Sequence, residues 1–283
     1  MSKISVITVN YNEKEGLAKT IKSVLSQSWK DFEFIIIDGG STDGSKQLIE
    51  KHQDNISYWV SEPDKGIYHA MNKGIRASKG EFVIFMNGGD CFNDNLVLEE
   101  IAPMLTNDFD VYYGDNYNSR HKKHRKILKY PEKLDFSFFY YKTISHQSTF
   151  IRKTLFDEHF YYNEDYKISS DWEFFVYTFC CKNVSYKYLD KIISVFDCNG
   201  ISYNPKFAEI IQEERSRTFQ KYFPAFIGQY EDKIDVRSKR FQQFLYLQKH
   251  NIPWRILKGL MNVLMLCLPK IKNDTNKKGP SIF

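Results

Sequence analysis

The sequence predicts an α/β fold built on an open, twisted, parallel sheet with flanking helices. Three observations predict it. Short, almost unbroken apolar runs recur along the first half of the chain, and such runs read as strands buried on both faces. Helical patterns fill the intervals, the alternation expected of right-handed crossovers. The main runs stop abruptly, at Asn10-Tyr11-Asn12, at Asp38-Gly39-Gly40 and at Asn87-Gly88-Gly89-Asp90. Open α/β sheets take their ligands at the carboxyl ends of strands, so these stops should share one rim.

Residues 4–9 are β-branched and form the first predicted strand. Asn12 is placed to cap the next helix, with Glu15 as its capping-box partner. Leu17, Ile21, Val24 and Leu25 fall on one helical face. Residues 34–37 are the second strand, residues 45–51 a helix that Asp43 can cap, and residues 58–60 a third strand. Glu62-Pro63-Asp64-Lys65-Gly66 reads as a turn. Residues 67–78 form a helix with Gly80 in the place of a C-terminal cap. Residues 82–86 are the central strand, 95–105 a helix and 110–114 a strand.

After Asp115 the character changes. A basic run covers residues 120–129 and an aromatic segment 136–141. Residues 148–151 read as a strand, and Ser169-Ser170 caps a helix over 171–181. A strand pair is expected around 186–197, then a helical pattern from Lys206 broken at Pro224 and Pro253. Boundaries near 115 and 205 divide the chain into 1–115, 116–205 and 206–283.

The chain has 283 residues, of which 42% are hydrophobic and 27% charged, as in ordinary globular proteins. Aromatics reach 16%. A formal charge of +5 suits an anionic ligand or an acidic membrane surface and does not by itself indicate nucleic acid. The five cysteines show no zinc-ligand spacing. With no signal peptide, reduced thiols and a cytoplasmic location are expected.

The expected rim has the outline of a nucleotide site. Helix N-termini there offer N–H groups to an anion. Asp38 can accept a hydrogen bond from a base or ribose, and Asp90 can bind a divalent cation, since hard cations prefer oxygen ligands. Two common phosphate motifs are absent. No G-x-G-x-x-G follows the first strand, and Gly39 and Gly44 have P-loop spacing but precede Ser45-Lys46 in the wrong order.

At this point the residues carry a resemblance. Asn10-Tyr11-Asn12, IIIDGGSTDGS (35–45), EPDKGIYHAMNKGI (62–75), NGGD (87–90) and SDWEFF (170–175) together resemble the inverting family 2 glycosyltransferases of GT-A fold, over about residues 3–202. The likeness is greatest to bacterial enzymes of capsule, exopolysaccharide or O-antigen synthesis. It implies a Rossmann-like nucleotide-binding half (1–115), an acceptor-binding half (116–205) and a C-terminal helical extension. By the same resemblance Thr8, Asn10, Glu15 and Gly89 lie near the nucleotide. Asp38 contacts the base, and Asp64 and Lys65 line its pocket. Asp90 is the last carboxylate of a DXD-type motif holding Mn²⁺ or Mg²⁺, and Asp171 is the catalytic base. His146 and Gln147 match a loop facing donor sugar or acceptor, and Trp172 is placed to stack on the acceptor sugar.

The chain departs from the family pattern. Asn87 and Gly89 stand where many relatives have acids, His69 stands where relatives often carry Asp, and no QxxRW-type signature of processive synthases is present. No His follows Asp197 to add a metal contact.

Inverting transfer is a single displacement, needing one base for the acceptor hydroxyl and a cation on the departing diphosphate. Asp171 and Asp90 fill those roles, and no nucleophilic triad is required. Asp171 also fits an ordinary first-turn helix acid, and His146 and Trp172 also fit structural roles.

The expected partners are a nucleotide-sugar donor, UDP-sugar favoured, and a saccharide acceptor, in relatives often carried on a lipid such as polyprenyl diphosphate. No nucleic-acid motif accompanies the basic run. Residues 256–268 are apolar, too short to span a bilayer, and flanked by basic residues. This suits peripheral contact of 252–272 with the inner face of the cell membrane, or packing on protein. Two other readings stand beside the enzyme: a sugar nucleotidyltransferase, which wants a glycine-rich basic loop after the first strand, and a non-catalytic subunit binding sugar nucleotide or glycan.

Overall fold

The structure, a computed structural model, describes residues 2–118, 126–197, 200, 202, 204–225 and 239–266. Residues 120–125 of the basic run, Cys198, Asn199, Cys267 and the lysines beyond it lie outside the described residues. The chain divides into two compact units, Met1–Pro224 and Ala225–Phe283.

In the first unit, strands β1 (Ile4–Asn10), β2 (Phe32–Asp38), β3 (Tyr58–Ser61) and β4 (Phe82–Phe85) alternate with helices α1 (Lys14–Leu25), α2 (Ser45–Lys51) and α3 (Ile67–Ala77). Then follow β5 (Cys91–Phe92), α4 (Val97–Ile101), β6 (Val111–Asn118), β7 (Lys126–Leu128), α5 (Phe136–Tyr141), β8 (Thr149–Arg152) and α6 (Thr154–Glu158). Helix α7 (Ser170–Cys180), strand β9 (Tyr186–Phe196) and helix α8 (Ala208–Tyr222) complete the unit.

One sheet runs β3-β2-β1-β4-β8-β6-β9-β5, with β7 on β6. Strands β1 to β4 are parallel as expected. The sheet as a whole is mixed, because β8 inserts antiparallel to both β4 and β6. The expected strand pair near 186–197 is one long strand. β9 runs parallel to β6 through an irregularity between Gly114 and Asn116 and is antiparallel to β5.

The core explains the strand pattern. Val6, Phe34, Ile36 and Ile84 pack on one side of the sheet against Leu17, Ile21 and Val24 of α1 and Ile49 of α2. Each such side chain contributes about 1.5–3 kcal/mol when fully buried. Alternate residues Ile7, Ile35, Ile37 and Phe85 are equally buried, as expected of a sheet covered on both faces. α3 lies close on β1: a Cβ at Gly74 would come within 2.4 Å of Ile7 Cγ2.

Two caps differ from expectation. Asn12 has φ 49° and does not cap α1; its Oδ1 instead accepts the N–H of Thr42 at 2.8 Å. The start of α1 is held by Asp43, which accepts the N–H of Lys14 and also that of Ser45 at the start of α2. Ser78, in extended conformation, ends α3. Gly80 is drawn away to donate its N–H to Ser5 Oγ at 2.9 Å, and no side chain fits there because a Cβ would meet β1 backbone at 2.7 Å.

In the second unit, α9 (Lys239–Gln248) and α10 (Asn251–Leu266) are joined by an edge-on contact between Phe244 and Trp254. Ile252, Ile256, Leu260, Val263 and Leu264 are exposed along one stripe of α10. Among the described residues no helix is long and apolar enough to cross a membrane.

Candidate active site

Asn10 and Asp38 end neighbouring strands and are register partners. Asn10 Nδ2 donates to Asp38 Oδ1 at 2.8 Å. The Ser41 N–H and Ser61 hydroxyl donate to Oδ2, and the Ser41 hydroxyl to Oδ1. Burial pushes the Asp38 carboxyl up, but these four hydrogen bonds outweigh it and hold the group below the usual carboxylate range. A carboxylate has about four acceptor positions, so Asp38 is fully engaged in shaping the 39–41 turn.

Asp64 accepts the Gly66 N–H at 2.8 Å and lies against Gly39, where a Cβ would be 2.5 Å from Asp64 Oδ2 and 3.2 Å from the Tyr11 ring. Bare backbone, a carboxylate and the 67%-exposed Tyr11 thus meet beside Asp38. In the sequence Tyr11 read only as part of the Asn10-Tyr11-Asn12 stop after the first strand, with no role of its own. Lys65 and Glu15 are exposed near this end. Thr8 is buried, its hydroxyl donating to the Met86 carbonyl at 2.6 Å, so it fastens β1 to the end of β4 rather than facing a ligand.

Asp90 is 4% exposed. Its Oδ1 accepts the Asp197 N–H at 2.9 Å and its Oδ2 the Gln147 amide at 3.0 Å. Burial, aided by the Asp197 charge, raises its carboxyl to about 6 despite those donors. Gly89 has φ +101°, and a Cβ there would stand 2.8 Å from Asp197 Oδ2. Asp197, which sequence reasoning passed over for want of a neighbouring His, therefore brings a second carboxylate to the turn. Among the described residues no three His, Cys, Asp or Glu side chains converge to cage a metal. The donor set fits a hard divalent cation that a bound diphosphate supplies with its remaining oxygens. Asp90 and Asp197 would hold it.

Asp171, in the first turn of α7, accepts the Tyr68 hydroxyl on Oδ1 at 2.9 Å and pairs through Oδ2 with His146 Nδ1 at 3.0 Å. Burial raises the Asp171 carboxyl, but His146, Tyr68 and the Trp172 N–H together hold it below the usual range. Burial and the Asp171 charge drive the Tyr68 phenol up, so it stays a donor. Asn87 Nδ2 lies 3.1 Å from His146 Nε2. The adjacent residues His146 and Gln147 thus grip the two acids, Asp171 and Asp90.

Three buried polar atoms around this cluster lack a partner among the described residues: Asn87 Oδ1, Tyr162 Oη and Arg215 Nε. Tyr162 packs on Tyr68, and Arg215 lies 4.8 Å over the Trp172 ring. Trp172 itself is 2% exposed, with its indole N–H on the Phe139 carbonyl. It is a core residue here, and its face is not free to stack on a sugar. Glu173 turns away from the cluster to Lys221 and Tyr222. Glu214 of α8 accepts the N–H groups of Lys167, Ile168 and Ser169 and fixes the loop leading into α7.

The family model described as Glycosyl transferase family 2 matches residues 5–193. An uncharacterized glycosyltransferase of Mycobacterium tuberculosis is 29% identical over 202 residues, covering 70% of this chain and 76% of the relative. A PGL/p-HBAD biosynthesis glycosyltransferase of Mycobacterium bovis is 25% identical over 199 residues, covering 68% and 76%. Among solved structures, S. aureus TarS 1–349 in complex with UDP superposes with TM-score 0.58 at 19% identity, covering 83% of this chain and 77% of that one. The mannosyltransferase PcManGT of Pyrobaculum calidifontis, in complex with GDP-Man and Mn²⁺, superposes with TM-score 0.55 at 13% identity, covering 93% and 85%. Both structural matches share the GT-A fold.

Proposed function

The chain belongs to glycosyl transferase family 2 and is a glycosyltransferase, and on that premise we propose that it moves a sugar with inversion from a nucleotide-sugar donor, a UDP-sugar by preference, to a saccharide or lipid-linked saccharide of cell-surface polysaccharide synthesis. The observation that carries this reading is the grip of His146 and Gln147 on Asp171 and Asp90. On this reading Asp171 serves the acceptor hydroxyl and Asp90 the phosphate side, the two carboxylates of a one-step displacement, each held by one of two adjacent residues.

On this reading the base lies on the face made by Tyr11, Gly39 and Asp64, supported from behind by Asp38 and Asn10. Asp90 and Asp197 face the diphosphate. A bound Mn²⁺ or Mg²⁺ supplies charge neutralisation of the leaving group. Asp171, with His146, is the general base for the acceptor hydroxyl. TarS structures with UDP and UDP-GlcNAc and PcManGT with GDP-Man and Mn²⁺ support this choice of donor class and cation.

The lipid side of the reading rests on α10, whose stripe of exposed apolar side chains is accompanied on the remaining surface by the exposed cations Arg255 and Lys258. Such a helix suits the headgroup boundary of a bilayer.

Calorimetry with UDP and GDP, with and without Mn²⁺, on wild type and Asp90→Ala tests the reading. UDP binding that Mn²⁺ strengthens in wild type but not in Asp90→Ala is expected. No binding of either nucleotide under any condition would overturn it in favour of a non-catalytic glycan-binding subunit.

A further inference from the structure

The cations of α8 are not treated alike. Lys221 pairs with Glu173 at 3.2 Å and Arg217 with Glu213 at 3.9 Å. Arg215 has no carboxylate partner among the described residues, and its Nε is buried with no hydrogen bond. Its guanidinium lies 4.8 Å over the Trp172 ring. A ring face answers part of the charge, but it does not supply the oxygen acceptors that five N–H groups want. Burial works against the cation, and the Asp171 charge favours it. Asp171 is bonded instead to Tyr68 and His146, and neighbouring Glu214 turns its carboxylate to the N–H groups of Lys167, Ile168 and Ser169. A desolvated cation of this kind is costly until an anion meets it.

Position decides what that anion is. Glu214 ties this turn of α8 to the loop entering α7, and Trp172, beneath Arg215, follows Asp171 in the chain. The charge bearing on Arg215 is that of Asp171, whereas those bearing on Asp90 are His146 and Asp197. Arg215 thus belongs to the Asp171 side of the cluster, away from the turn assigned to the leaving diphosphate. Its Nε is closed off, but the residue is only half-buried, so the outer nitrogens are the part a ligand can meet. They form a planar fork that matches two oxygens of a carboxylate or a phosphate.

Resting on the glycosyl-transfer reading, we propose that Arg215 selects an acidic acceptor: a saccharide whose carboxylate or phosphate ester lies beside the hydroxyl that Asp171 serves, held by the outer nitrogens of the guanidinium. Trp172 sets the place of the fork. The cation also offsets repulsion between the acceptor's anion and the Asp171 carboxylate, which would otherwise disfavour an acidic substrate beside an ionised base. A neutral sugar leaves the guanidinium unmatched, and this difference is the source of selectivity.

The test uses the full chain saturated with UDP and Mg²⁺, so that the donor side is filled. It follows the Trp172 indole N–H resonance, assigned with Trp172→Phe. The probes are glucuronate, glucose 6-phosphate and neutral methyl glucoside. In wild type an acidic probe should shift the resonance at concentrations about 10–100-fold below those methyl glucoside needs. Arg215→Gln should remove that advantage, and Arg215→Lys, a point charge without the fork, should restore part of it. Both variants should bind UDP as wild type does. A response to glucuronate alone assigns the anion as a carboxylate, and a response to glucose 6-phosphate alone as a phosphate ester; either supports the proposal. Equal responses of wild type to charged and neutral probes, or no response to any, overturn it. An acidic-probe advantage that Arg215→Gln retains overturns it too, since the anion then binds elsewhere. Failure of wild type to bind UDP or GDP removes the glycosyl-transfer reading itself, a result seen before any acceptor probe is added.

Discussion

Glu214 of α8 accepts the backbone N–H of Ser169 at 2.9 Å, two residues before Asp171. The same carboxylate takes the N–H groups of Lys167 and Ile168 and is 1% exposed. It is a built-in anion for the loop that delivers Asp171. Glu214→Ala leaves three backbone donors unmet, two of them buried, and should cost about 3 kcal/mol or more. Glu214→Gln, which keeps one acceptor oxygen, should cost less. Denaturant melts rank the three proteins, and turnover should fall in the same order.

Asp90 makes stability depend on pH in an unusual direction for an acid. Its folded carboxyl is raised to about 6, above the unfolded value of about 3.9. Between those values the folded state holds a proton that the unfolded state has lost, so stability falls as pH rises through this window and levels off above it. The difference amounts to about 3 kcal/mol. Metal-free Asp90→Asn should therefore melt higher than wild type at about pH 8, and the gap should close near pH 4. The Mn²⁺-dependent part of UDP binding should grow as pH passes about 6.

Asp38 behaves oppositely. Its folded carboxyl is depressed, because hydrogen bonds from Ser41, Ser61 and Asn10 outweigh burial. Its contribution is present above the unfolded value of about 3.9 and is lost as pH falls through the folded one. Asp38→Asn should lower the melting temperature at neutral pH, with the deficit shrinking in acid. UDP affinity should fall along with it, since the 39–41 turn loses its anchor.

Gly89→Ala tests the turn between strand and acid. A φ of +101° is strained for any residue with a Cβ, at about 1–2 kcal/mol, and that Cβ would press on Asp197. Lower stability and a weaker Mn²⁺ effect on UDP binding are expected together, read by calorimetry on one preparation.

The exposed stripe of α10 gives a vesicle test. Ile256→Glu with Leu260→Glu should abolish co-sedimentation with vesicles containing anionic lipid and leave UDP binding unchanged.

The rim of the site was legible in the sequence because each strand there is a short apolar run with a polar stop, and parallel strands must bring their ends together. Asn10, Asp38 and the Asn87–Asp90 turn are found on that rim. What periodicity cannot encode is pairing across the chain. Tyr68 meets Asp171 over 103 positions and Asp197 meets Asp90 over 107. The antiparallel entry of β8 and the single long β9 were hidden for the same reason, since a strand's partner and direction depend on the whole sheet. Trp172 stayed open between sugar stacking and core, because a first-turn aromatic looks alike whether α8 covers it or not; it is core.

The grip of α8 on the loop before α7 also has a temporal side. A chain emerging from the ribosome delivers Asn10 and Asp38 first and the acids Asp90 and Asp171 next, yet Glu214 arrives only after another forty-odd residues. Domains synthesised N-terminus first fold as their partners appear. The unit Met1–Pro224 therefore closes only once α8 is out, and the loop before Asp171 is the part that waits longest for its anchor.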